Sequence, residues 1–191
     1  MVSFQTSNES SVRGLKGLCL FLLWSALVPA GYASSVTSSS ADGFTIEHSF
    51  EVRATAALAY QAFTEKIGRW WGPEHTYSGN SQNMAIEARA NGCFCERWGA
   101  GAGIVHMTVL YVDPNKTIRF SGGLGPLQEM AVSGVMTVDF MEEGGRTKVL
   151  FKYAISGRAA LELDKVAPLV DRVLVEQMNR FESFVDTGKP Q

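Results

Sequence analysis

The chain lacks most of the marks that commit a protein to a chemistry. Three cysteines, six prolines and three histidines are spread over 191 residues. That is too little cysteine for a disulfide-built scaffold. Charges nearly cancel, with 17 Lys and Arg against 19 Asp and Glu. No basic block stands out, so a nucleic-acid footprint is excluded and no nucleic-acid partner is expected. His48, His75 and His106 fall on separate segments with no i, i+4 pair, so the spacing supports no metal site and no cofactor. The glycine-rich GGLGP at 122–126 lacks a Lys-Ser/Thr ending and precedes a strand. It reads as a turn or a flap over a cavity mouth, not as a phosphate cradle. No Ser-His-Asp order can be singled out.

Long apolar runs are scarce too. The one clear run is LCLFLLWSALV at 18–28, well short of the roughly 18–20 apolar residues that cross a bilayer. Arg13 and Lys16 precede it, and Ala30 and Ala33 follow at positions that suit cleavage. This pattern predicts a cleaved export signal over 1–33 and a periplasmic or secreted protein with no stable membrane span after processing. A membrane anchor and a buried core helix are the alternatives. Cys19 opens the apolar run instead of following it, which argues against a lipoprotein. The Ser-rich stretch 34–43 (SSVTSSSADG) predicts a flexible linker. A single domain is expected over 44–187.

Cys93 and Cys95 remain after processing. Two residues of regular strand span about 6.6 Å, the upper edge of disulfide separations. A bridge there requires a bulged or twisted strand; the simpler reading is two small apolar residues on one strand face.

The rest of the chain is densely patterned. Residues 44–52 (FTIEHSFEV) alternate, with Phe44, Ile46, His48, Phe50 and Val52 on one face. Thr55 suits a helix cap, and Leu58, Phe63 and Ile67 recur at helical spacing until Gly68 and Gly72-Pro73 stop the helix. Period-two strands are predicted at 84–88, 93–98, 104–112, 117–120, 130–140 and 147–155, with Asn91-Gly92 as a hairpin turn. Residues 166–184 then form an amphipathic helix in which Pro168 fits only near the first turn. The expected fold is α+β: a curved antiparallel sheet of about seven strands wrapped around a long C-terminal helix, with a cavity wherever the helix fails to fill the concavity.

Several strings carry a resemblance: IGRWWGPEHTYSG at 67–79, NGCFCERW at 91–98, VHMTVLYVDP at 105–114, GGLGPLQEMAVSG at 122–134 and EQMNRF at 176–181. Together with the element order they resemble the START-like helix-grip (SRPBCC) superfamily, in particular the branch named for the activator of the heat-shock-protein ATPase. The resemblance spans residues 44–185. It implies a helix-grip fold and a cavity for a small molecule. The superfamily includes lipid carriers, hormone receptors, polyketide cyclases and oxygenase domains, so the fold alone assigns no activity.

The candidate ligand-binding residues are Trp70, Trp71, His75, Phe94, Glu96, Trp98, His106, Phe120 and Gln177. The aromatics offer walls. If Phe94 and Trp98 face inward, period two brings Glu96 in with them, which predicts a buried carboxylate with a raised pKa; the alternatives are that this is the outer face or that Glu96 pairs with an arginine such as Arg97. His75 and His106 are the groups that titrate near neutrality. Gln177 interrupts the apolar face of the last helix. The primary reading is an exported binding protein for a small hydrophobic or aromatic ligand. An enzyme of cyclase, dehydratase or hydrolase type, with Glu96 and His75 or His106 as acid and base, is the alternative; a protein-interaction module is the third.

Overall fold

The computed structural model describes residues 35–191. The expected export signal, residues 1–33, lies outside the described residues. Among the described residues eight antiparallel strands form one curved sheet: β1 Val36–Ser40, β2 Gly43–Val52, β3 Met84–Ile86, β4 Cys93–Trp98, β5 Ala102–Asp113, β6 Thr117–Ser121, β7 Ser133–Glu143 and β8 Arg146–Ser156. Their spatial order is β1-β2-β8-β7-β6-β5-β4-β3. Two short helices, α1 Ala56–Glu65 and α2 Ile67–Trp70, follow β2, and α3 Leu163–Thr187 closes the chain.

Alternation builds the core. Phe44, Ile46 and Val52 of β2, Met136, Val138 and Phe140 of β7, and Val149, Phe151, Tyr153 and Ile155 of β8 point to one buried face. Each such large side chain contributes about 1.5–3 kcal/mol by leaving water. α3 lays Leu174, Met178, Phe181 and Phe184 on that face. Thr55 caps α1 by accepting from the Leu58 amide.

Three details correct the sequence reading. Residues 36–40, predicted as flexible linker, form edge strand β1 on β2. Leu58, expected on the inner face of the first helix, is 57% exposed, and Ala59 and Ala62 pack inward with Phe63 instead. α3 begins at Leu163, so Pro168 lies in its second turn, where the ring removes one helical hydrogen bond. The two cysteines, whose pairing had required a distorted strand, are bonded with Cα atoms 5.4 Å apart. The register of β4 against β5 shifts between Phe94 and Cys95, where His106 is the extra, bulged residue on β5.

Candidate functional site

The segment between α2 and β3 is strapped to the fold from two sides. On one side it meets a single turn of α3. Arg180 Nε donates to the Trp70 carbonyl at 2.9 Å, the Gly72 amide donates to Gln177 Oε1 at 2.7 Å, and His75 Nε2 lies 3.3 Å from Glu176 Oε2. Within the segment, Trp71 Nε1 donates to the His75 carbonyl at 3.0 Å, and Pro73 opens a short 3-10 turn. On the other side the Tyr77 and Ser78 amides both donate to the Glu96 carboxylate of β4, each at 2.9 Å.

Glu96 is fully buried, and His106 of β5 joins it there, with Nε2 2.9 Å from Glu96 Oε1. Burial pushes the carboxyl upward, but the Tyr77 and Ser78 amides, the Ser78 hydroxyl and the His106 ring outweigh it, and its pKa lies below the ordinary value. This reverses the raised pKa expected from the flanking aromatics: backbone donors decide the sign, and no arginine is needed. Burial lowers the His106 pKa against the opposing pull of Glu96. The pair is therefore a carboxylate and a neutral imidazole. An ionised carboxylate only accepts, so Nε2 carries the proton. Nδ1 is left as a lone-pair acceptor, buried and without a hydrogen-bond partner among the described residues.

His106 lines a cavity of about 480 Å³. The connector supplies Trp71 and Tyr77, the loop after β6 supplies Leu124 and Leu127, and α3 supplies Val170 and Leu174. Buried Tyr153 holds the root of that loop: its hydroxyl donates to the Gly122 carbonyl at 3.0 Å and accepts from the Leu124 amide at 2.8 Å. Burial raises the phenol pKa, so it stays protonated. Gly122 adopts φ +142°, open to glycine, and a Cβ on Gly134 would sit 2.2 Å from the Gly122 carbonyl oxygen.

Of the candidate residues, Trp71, His75 and His106 line the cavity. Trp70, Phe94 and Phe120 are buried in the core, where Phe94 meets Trp71, His106 and Phe120 edge-on or tilted. Trp98 is half-buried at the end of β4. Gln177 is buried beneath the connector, its Nε2 without a partner among the described residues. Glu96 and His106 meet directly, whereas His75 sits at the rim with Glu74 and Glu176. These last three place one ligand atom each within 4.8 Å of one another and are the described residues best placed to hold a metal ion. Sequence reasoning missed the aliphatic half of the wall. A signal existed: Val166, Leu169, Val170 and Val173 extend the apolar arc of α3 beyond the face it buries.

A second histidine, His48, is half-buried. Ser35 Oγ lies 2.7 Å from His48 Nδ1, and His48 Nε2 lies 3.6 Å from Asp171 Oδ1 of α3. Burial lowers the His48 pKa, with Asp171 pulling upward. His48 and His106 thus both bind protons less readily than the unfolded chain does near its ordinary 6.5. Their contribution to stability is complete above pH 6.5 and is lost as pH falls through and below that value, by at most about 1.4 kcal/mol per pH unit per histidine. Urea midpoints taken from about pH 8 to about pH 5 should decline on the acid side; a flat profile contradicts the neutral assignment of both rings.

No protein-family model and no curated protein matches the chain. Solved structures share its fold. A conserved protein of unknown function from Enterococcus faecalis superposes with a TM-score of 0.57 at 12% identity, over 83% of this chain and 80% of that one. CalU16 from Micromonospora echinospora gives 0.55 at 15% identity, over 83% and 84%. The Aha1 dimer from Colwellia psychrerythraea gives 0.50 at 18% identity, over 76% of this chain and 98% of that one. At these identities the likeness extends to the helix-grip-like architecture and no further.

Proposed function

We propose that this chain is an exported binding protein of the START-like superfamily that holds a small apolar molecule between α3, the connector and the loop after β6. The cavity carries the reading. It is about 480 Å³, its wall is largely aliphatic and aromatic, and it has one buried polar floor group, His106. Most small-molecule sites combine these features. The sequence signal over 1–33 and the bonded Cys93–Cys95 pair support export, because such bonds persist in oxidising compartments. Among the described residues no helix is long and apolar enough to cross a membrane.

The test uses N-phenylnaphthylamine, whose emission rises in apolar surroundings. The protein should bind it saturably. Val170→Trp, which fills the cavity from α3, should weaken binding about tenfold or more, a loss of about 1.4 kcal/mol, while the unfolding midpoint stays near that of the parent. Unchanged binding in this variant would remove the cavity as the site.

A further inference from the structure

We infer that the Cys93–Cys95 pair is a thiol–disulfide exchange site that oxidises a pair of substrate thiols, with Cys93 as the reacting sulfur. The bond joins residues two positions apart, and so short a loop removes little freedom from the unfolded chain. It is therefore a poor staple for the fold. The two sulfurs are unequal. Phe94 and Glu96 are buried on the inner face of β4, so period two sends Cys93 and Arg97 outward, away from the cavity. Cys93 is half-buried, whereas Cys95 is buried. Arg97 is an exposed side chain, and its Nη2 lies 3.2 Å from Cys93 Sγ. The same Nη2 donates to Glu87 Oε1 at 2.7 Å, and Arg89 donates to the other oxygen of Glu87 at 2.9 Å. One carboxylate is thus shared by two guanidinium groups, and the Arg97 group touches the sulfur. An accessible sulfur beside a cation is the setting in which a cysteine reacts.

The chemistry follows from this asymmetry. A substrate thiolate attacks Cys93 Sγ, a new S–S bond forms, and the Cys93–Cys95 bond breaks with its electron pair on Cys95. Cys95 takes up a proton, because burial favours the neutral thiol. A second substrate thiolate attacks the sulfur joined to Cys93 and expels Cys93 as a thiolate beside Arg97. The substrate thiols become a disulfide and lose two electrons, which the protein gains. Of their two protons, one ends on Cys95 and one in water. The guanidinium stabilises the Cys93 thiolate and so the reduced pair, which makes the bonded pair a ready electron acceptor. Return to the bonded state takes a second disulfide compound as oxidant. A groove of about 380 Å³, lined by Cys95, Arg97, Gly103 and Val105, adjoins the pair and offers the substrate a seat.

The test uses the full chain with Cys19→Ser, so that Cys93 and Cys95 are its only cysteines. Reduced glutathione, two molecules supplying the two thiols, should open the bond at neutral pH while the circular dichroism stays that of the folded protein. Structural disulfides resist this reagent. A bond that persists in excess reduced glutathione until urea unfolds the chain overturns the inference. With oxidised glutathione, Cys95→Ser should form a mixed disulfide at Cys93 about tenfold or more faster than Cys93→Ser forms one at Cys95. Equal rates, or a faster Cys95, overturn the assignment of Cys93. Arg97→Gln, added to Cys95→Ser, should slow alkylation of Cys93 about threefold or more at neutral pH and move the midpoint of its pH profile upward. An unmoved midpoint overturns the role of Arg97. The reduced-glutathione reaction keeps both cysteines and Arg97, so it decides the matter even where a variant fails to fold. Cys93 faces away from the cavity, and failure here leaves the binding reading intact.

Discussion

Glu96→Leu should destabilise the protein by about 3–5 kcal/mol, the combined cost of stranding several neutral donors in the interior. The leucine fills similar space, so packing is not the cause. Three donors lose their acceptor at once: the Tyr77 amide, the Ser78 amide and His106 Nε2. A single donor stranded in the interior costs about 1–3 kcal/mol, and partial relaxation of the connector brings the sum into the stated range. Against a typical total of about 5–15 kcal/mol, the loss is large, and the urea midpoint should fall by at least about 1 M. Glu96→Gln keeps the shape and one good acceptor but turns an NH2 group toward a donor, so it should fall between parent and leucine variant. His106→Phe removes one of the three contacts and leaves the carboxylate with both amides, so it should cost less than Glu96→Leu. Because Glu96 and His106 touch, their effects should be coupled in a double-mutant cycle by about 0.5–3 kcal/mol. A Glu96→Leu protein within about 1 kcal/mol of the parent would show that the connector is held by α3 alone. The same variant should also lose fluorophore binding in its folded fraction, because Tyr77 is both anchored by Glu96 and part of the cavity wall.

What was legible in the sequence divides along the same physical line. β2, β7 and β8 were legible because one face of each is buried and the other is wet, and that contrast writes itself as period two. β1 was not, because its residues VTSSS bury almost nothing; it is held by main-chain bonds to β2, which any sequence can make. The inward parity of Glu96 was legible from Phe94. Its ionisation was not, because the deciding donors are backbone amides 18 and 19 residues earlier, and an amide carries no side-chain signature. The Glu96–His106 contact was anticipated as one pairing among several; only the register of β4 on β5 selects it. From its glycines, GGLGP at 122–126 reads as a turn or a flap. The wall residues of the loop after β6, Leu124 and Leu127, look like ordinary loop apolars until Tyr153 fixes where the loop turns.

The adjacent tryptophans of the connector should separate cleanly by substitution. Trp70 is fully buried at the end of α2. Its ring lies 5.1 Å from that of Phe181, 5.5 Å from Phe63 and 5.6 Å from Trp71, and its Nε1 donates to the Ala62 carbonyl at 3.0 Å. It therefore joins α1, α2 and α3 around one point. Trp70→Ala should cost about 3–5 kcal/mol, as for other large aromatics removed from a close-packed core, and Trp70→Phe should cost less, since much of the ring contact survives and the Ala62 carbonyl loses one donor. Trp71 is one residue further on, and that step turns its ring to the cavity. Trp71→Ala removes a wall with empty space on one side, so part of its contact with neighbours was never made. Its stability cost should be smaller than that of Trp70→Ala, and its effect on N-phenylnaphthylamine affinity larger, because the ligand loses an aromatic face. Trp70→Ala molecules that remain folded should bind the fluorophore within about threefold of the parent, roughly 0.6 kcal/mol. Urea unfolding reads one property and fluorophore titration the other. If the two alanine variants lose stability and affinity in the same proportion, core and cavity are one structural unit at this point, and the assignment of separate roles to neighbouring residues fails.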